Sequence, residues 1–435
     1  MSSEMLVRYL VCVWSILIFC GYSFAKVENH FEELSDVLKS IESNSPLLLE
    51  EYELVEEQKA LKTVTDSSRG LKVNLNISGQ SIHEDRPEQS FYQRYRSFAS
   101  LYAKKPIYHW GALQSASNIA KRRIILSELL YNEHLSEITS QSRRAYLDLL
   151  ILRKRIELSS DFLSQKKESF VSVTKQHELG LKTKLEVNES NASYLENKIL
   201  LANLKQSLSN SLYNFKSITG WDQNLTFDDR DGSFKELISF YDFDEKVPSL
   251  ISGISSMNVK RIQHEIEIEK NNLTIANSEL KPKLNLVGGF YQDQVALANS
   301  ESSLMRNNVL IGLEATWSIW DSSKSSGEKS ATLARKRRLG YALERELKSF
   351  RFRLTTLRAN LMSLAQKIEI SRDLLEVANT RFETSKIELS ANRISQNKHL
   401  ESKIALDTAK IHQLESVCQY LKIHDQYMRA INNNQ

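Results

Sequence analysis

The stretch Val309-Leu310-Ile311-Gly312-Leu313-Glu314-Ala315-Thr316-Trp317-Ser318-Ile319-Trp320 decides the fold. Val309, Ile311, Leu313, Ala315, Trp317 and Ile319 share one parity. Leu310, Gly312, Glu314, Thr316, Ser318 and Trp320 share the other. A period of two predicts a strand with one greasy and one wetter face. Leu71 to Gly79 repeats the pattern, with Leu71, Val73, Leu75 and Ile77 alternating with Lys72, Asn74, Asn76 and Ser78. Two more strands are expected: a less regular one from Tyr95 to Tyr108, and one from Pro282 to Tyr291 with Leu284, Leu286 and Phe290 on one parity. Polar loops at His83–Glu88 and at 292–306 divide each pair.

Helices surround these strands. The 435 residues contain only 13 Gly and 5 Pro, too few for many short elements. Neither residue occurs between Gly111 and Gly180. That predicts one uninterrupted helix of about 100 Å at 1.5 Å per residue. Further helices are expected over 30–64, from Gly180 to Thr219, over 249–280, from Ser326 onward, and up to Ile431. Ala192, Leu195, Ile199 and Ala202, and likewise Ile404, Ile411, Leu414, Cys418 and Leu421, have coiled-coil spacing. A helix this long exceeds any single globular core, so it belongs in a bundle or cylinder.

The element order occurs twice, offset by about 210 residues. Pro106-Ile107-Tyr108-His109-Trp110-Gly111 answers Ser318-Ile319-Trp320-Asp321-Ser322-Ser323. The expected division is a first helix–strand–strand–helix repeat over 26–219, a linker rich in Asp, Phe and Gly over 220–248, and a second repeat over 249–435. Residues 1–25 read as a signal peptide: Arg8, an apolar run from Tyr9 to Cys20, then Ser23-Phe24-Ala25. Lipidation at Cys20 is disfavoured by bulky Phe19. Removing the signal leaves only Cys418, so no disulfide forms within the mature chain.

Composition excludes several functions. A net charge of +4, from 58 basic and 54 acidic residues, does not suggest a nucleic-acid partner. The nine His show no metal-ligand spacing. There is no phosphate-binding Gly loop, no Gly-x-Ser-x-Gly elbow and no EF-hand. No enzyme, cofactor or metal site is expected.

Beyond the signal no run of 18 apolar residues occurs, so a membrane crossing requires a closed barrel of strands. Strands of about ten residues suffice when tilted. Tyr108, Trp110, Tyr291, Trp317 and Trp320 lie near strand ends, where interfacial aromatics belong. Four strands cannot close a barrel, since small membrane barrels begin at eight. Three copies would supply twelve. The competing reading is a periplasmic coiled-coil scaffold or adaptor with a soluble sheet, although its compact β domains would need more Gly.

Ala276…Leu280-Lys281-Pro282-Lys283-Leu284-Asn285-Leu286 resembles the entry into a membrane strand in the TolC-type outer-membrane efflux proteins. Gly312 to Asp321 resembles the exit, and His177-Glu178-Leu179-Gly180-Leu181-Lys182-Thr183 resembles the turn at a helical tip. The resemblance spans the mature chain. It implies a mainly α fold with a small β part: a trimeric 12-stranded β-barrel in the outer membrane, four strands per chain, continued by a long α-helical coiled-coil tunnel in the periplasm. It further implies a passive conduit for small molecules or proteins, within a tripartite efflux or type I secretion system. The partners would be outer-membrane lipid, a periplasmic adaptor and an inner-membrane pump.

By that resemblance Gly180, Leu181 and Thr183 form one adaptor-facing tip, and Ser385, Lys386 and Ile387 the other. Val309, Ile311, Leu313 and Trp317 face lipid. The family often carries Asp after the second tip, where this chain has Glu388, Ser390 and Arg393. A constriction at Arg393 would favour anions; the preferred reading is a salt bridge within the coiled coil.

Overall fold

The computed structural model describes residues 31–86, 89–223, 225, 256–296 and 303–432. The expected signal peptide, Cys20 and most of the expected linker lie outside them. The order is α1 (Glu32–Asn44), α2 (Pro46–Ser67), β1 (Lys72–Arg86), β2 (Gln89–Tyr108), α3 (Ala112–Glu178), α4 (Lys184–Thr219), α5 (Met257–Ser278), β3 (Lys283–Ala296), β4 (Ser303–Thr316), α6 (Lys324–Ser390) and α7 (Gln396–Asn432). The duplication is visible in lengths. α2 and α5 have 22 residues each, α3 and α6 have 67 each, and α4 and α7 have 36 and 37.

The chain divides into two compact units. One comprises residues up to 51, 131–257 and 347–435; the other comprises 52–130 and 258–346. The first is helical. Its core gathers Leu34 and Val37 of α1, Tyr146 of α3, Phe215 of α4, Leu361 of α6 and Val417 of α7. α1 therefore seats its apolar side across helices of both repeats. The seam residues Leu414, Cys418 and Leu421 are buried there, and burial pushes the Cys418 thiol up to about 12. The other expected seam differs. Leu195 and Ile199 of α4 are exposed, so no described residue of the chain covers this stripe.

The second unit holds a four-stranded antiparallel sheet in the order β1-β2-β3-β4. β1 and β4 are its edges. The strands have 15, 20, 14 and 14 residues and run into both segments expected as polar loops. Hairpin ladders continue because the backbone bonds are indifferent to side-chain polarity. At the other end β4 stops at Thr316, short of the expected Ile319–Trp320. Thr316 pairs with Lys283, and the preceding Pro282 has no N–H to extend the ladder.

Candidate functional site

The pleat sorts the sheet into two unlike faces. Val73 aligns with Ala103, Gly288 and Ile311, and Leu75 aligns with Leu101, Phe290 and Val309. Leu286 aligns with Leu313 beside them. Most of these apolar side chains are open: Ile77 is 76% exposed, Val309 82%, Ile311 83% and Leu313 74%. A broad exposed apolar face calls for a non-aqueous contact. Val309, Ile311 and Leu313 lie on this face. Trp317 lies just past the end of β4, where its Nε1 donates to the Leu280 carbonyl at 3.1 Å.

The opposite face is polar. Arg96 of β2 donates two hydrogen bonds to Asp293 of β3, at 3.0 and 2.8 Å. Lys104 and Tyr102 of β2 both reach Glu314 of β4, the tyrosine hydroxyl at 3.0 Å. The Tyr102 and Lys104 contacts cross β3, where Gly289 leaves room. A Cβ on Gly289 would lie 3.0 Å from the Leu101 carbonyl and 3.4 Å from the Tyr102 ring. The network joins β2 of the first repeat to β3 and β4 of the second. Periodicity alone does not reveal it, because such pairs require the inter-strand register.

The strand-to-helix junctions are built alike. Trp110 and Gly111 have φ 54° and 81°; Ser322 and Ser323, 212 residues later, have φ 51° and 70°. The amide of Ala112 donates to the His109 carbonyl, as that of Lys324 does to Asp321. Around the first junction the Trp110 indole donates to the Pro282 carbonyl at 2.8 Å, and Lys281 lies 4.7 Å from its ring centroid. At the second, Asp321 accepts from the Ser325 hydroxyl and, at 2.9 Å, from the Ser325 amide. Those two bonds hold its carboxyl below the usual range.

The helical unit carries two turns of one design. After α3, Gly180 donates its amide to the His177 carbonyl and Leu181 to that of Gln176. After α6, Asn392 donates to Leu389 and Arg393 to Glu388. Both are Schellman closures with a left-handed residue at their centre, φ 74° at Gly180 and 54° at Asn392. Thr183 then caps α4 in a reciprocal box with Glu186. The Glu186 carboxyl is lowered to about 2, first by the Lys182 ammonium and then by the Thr183 amide. In the second turn Ser395 stands at the corresponding cap, but Lys398 replaces the acid.

The second of these turns spans 391–395, beyond Ser385, Lys386 and Ile387. Ser385, Lys386 and Ile387 are still within α6. Ser385 is buried; its hydroxyl donates to the Phe382 carbonyl at 2.7 Å and lies 2.8 Å from His399 Nδ1. The offset of the strand–helix junctions, applied to Gly180, points to Asn392; the change of letter from Gly to Asn hid it. Glu388 and Ser390 belong to the last turns of α6, and Arg393 is exposed in the turn with no ion pair among the described residues. A groove of about 510 Å³ runs between α6 and α7 here, lined by Arg381, Ser385, Glu388, Ile394 and Lys398.

No group of three or more potential metal ligands occurs among the described residues, and no described helix is long and apolar enough to cross a membrane. The family model described as outer membrane efflux protein matches residues 37–221. This match spans less than half of the 435 residues, and over it the chain is similar to that family. The match covers the first repeat, and the fold extends the likeness to the second. The CmeC outer-membrane channel of Campylobacter jejuni has a TM-score of 0.77 at 14% identity, over 94% of this chain and 87% of that one. VceC of Vibrio cholerae gives 0.72 at 13%, over 92% and 96%. The open state of the MtrE channel of Neisseria gonorrhoeae gives 0.70 at 12%, over 92% and 88%. At such identities the likeness is one of fold. No curated protein matches. The partial family match and the fold are those of outer-membrane efflux channels.

Proposed function

We propose that three copies of this chain close a twelve-stranded barrel and a helical tunnel, forming the passive exit duct of a tripartite efflux or type I secretion assembly. The observation that carries this reading is the open sheet. β1 and β4 are edges of opposite direction, and a membrane tolerates no unpaired edge. The apolar face of Val309, Ile311 and Leu313 would then meet lipid, and the face of Arg96, Asp293, Lys104 and Glu314 would line the lumen.

The turns at Gly180–Thr183 and 391–395 would face a periplasmic adaptor, with Lys386 and Ile387 flanking the second. Glu388, Ser390 and Arg393 would form the narrow part of the closed duct. The exposed guanidinium of Arg393 supports a preference for anionic cargo over a role in an intrachain salt bridge. Reconstitution of the full-length protein into planar bilayers tests the proposal. Defined conductance steps that shrink or change ion preference in Arg393→Glu support it; a protein recovered only in the soluble fraction, without conductance, contradicts it.

A further inference from the structure

The helices flanking the sheet carry opposite, unspent charge. α2 leads into edge strand β1, and α6 leaves edge strand β4. On α2, Glu53, Glu57, Leu61 and Val64 form one exposed stripe. Asp66, on the other side of this helix, accepts from Ser117 of α3 at 2.6 Å, so the stripe points away from α3. On α6, Leu333, Arg337, Tyr341 and Arg345 follow at four-residue steps, exposed, with Arg338 alongside. Its opposite side carries buried Thr332 and Arg335, which reaches Glu269 of α5 at 3.1 Å.

Their neighbours Glu56, Lys62 and Arg335 are all ion-paired. Among the described residues Glu53, Glu57, Arg337, Arg338 and Arg345 form no ion pair. An acidic stripe thus stands on one flank and a basic stripe on the other. Depth matches as well. At 1.5 Å per residue from the helix end nearest the sheet, Glu57 and Glu53 lie about 15 and 21 Å away, and Arg337 and Arg338 about 20 and 21 Å. Leu61 and Leu333 lie closer to the sheet on both helices. α2 runs toward the sheet and α6 runs away from it, so the two would meet antiparallel.

We infer that α2 of one copy docks on α6 of a second copy, with Glu53 and Glu57 facing Arg337 and Arg338 and with Leu61, Val64 and Leu333 packed on the sheet side. The inference rests on the oligomeric reading above and names the helical half of its interface. Exposed ion pairs are individually weak, but a cyclic assembly repeats them at every interface. Like charges brought face to face exclude a wrong register or partner, so the stripes fix which flank meets which.

Paired charge reversal in the full-length protein, extracted from outer membranes in mild detergent, is the test. The readout is the oligomer fraction by light scattering and on unheated gels. Glu53→Arg with Glu57→Arg lowers that fraction about tenfold, as does Arg337→Glu with Arg338→Glu, and all four together restore it to within about twofold of the wild type. Because the restored variant carries every substitution, a folding defect cannot mimic this pattern. One-sided variants that assemble normally overturn the inference while leaving the channel reading intact, and so does loss without restoration. A wild-type protein that forms no oligomer overturns the channel reading and the docking with it.

Discussion

Gly180 and Asn392 occupy the same backbone position in the two halves of the chain. Each follows a 67-residue helix, each is left-handed, and each sits inside the same pair of closing hydrogen bonds, 212 residues apart. The turn is fixed by backbone geometry, and the side chain is free to differ so long as it tolerates positive φ. Glycine has no Cβ to clash there, and Asn is among the few other residues that visit this region readily. Gly180→Ala is therefore expected to loosen the first turn by about 1–2 kcal/mol. Asn392→Gly is expected to be neutral or slightly stabilising. Amide hydrogen exchange over 176–186 and 388–398 checks both; unchanged protection in Gly180→Ala would contradict the strain argument.

The first turn also carries an acid-sensitive cap that the second lacks. The Glu186 carboxyl is lowered to about 2 by Lys182 and Thr183. A depressed carboxylate contributes stability above its ordinary value of about 4.5, and loses it as pH falls toward 2. The N-terminus of α4 is thus expected to loosen between about pH 4.5 and pH 2, and that of α7, with Lys398 at the matching place, to show no such step. A carboxyl-carbon NMR titration of Glu186 locates the midpoint; an ordinary value near 4.5 would exclude the capping box in solution.

The two faces of β4 should respond differently to charge. Leu313→Arg or Ile311→Asp places an ion on the exposed apolar face. For arginine at mid-bilayer the cost is about 2–4 kcal/mol. Both variants are expected to lower the amount of protein retained in washed outer membranes. Leu310→Lys lies on the polar side, in register with Gly289, and is expected to be retained. Equal retention of all three would show that this face does not meet lipid.

Gly289 leaves space for Tyr102 to cross β3 and bond Glu314. Gly289→Val is expected to displace the ring and break that bond. The cost is about 1–3 kcal/mol if the Glu314 carboxylate loses its partners. Thermal unfolding of the detergent-extracted oligomer measures it. Tyr102→Phe combined with Gly289→Val should then add little, because both act on one contact.

Much of this architecture is legible in the sequence, for identifiable reasons. Alternation at Val309–Leu313 and Val73–Ile77 marks the strands because one face is apolar throughout. The absence of Gly and Pro after Gly111 marks α3. The match of Pro106–Gly111 with Ser318–Ser323 carries the correct offset for the whole repeat. Strand ends were not legible, since the ladder at β1 and β3 continues past the alternation and stops at β4 where Pro282 cannot donate. The turn at Asn392 is not legible from the letters, because the Gly-to-Asn change removes the glycine but preserves the turn. The network of Tyr102, Lys104 and Glu314 depends on register across three strands, which no single segment encodes.

The central claim is that four strands from each chain contribute to a barrel closed by other copies. Native mass spectrometry of the mature protein, released from outer membranes in detergent, tests it most directly. The expected result is a single species with the mass of three chains that resists dissociation until the barrel unfolds. A monomer that is recovered from the periplasm and stays soluble without detergent would contradict it.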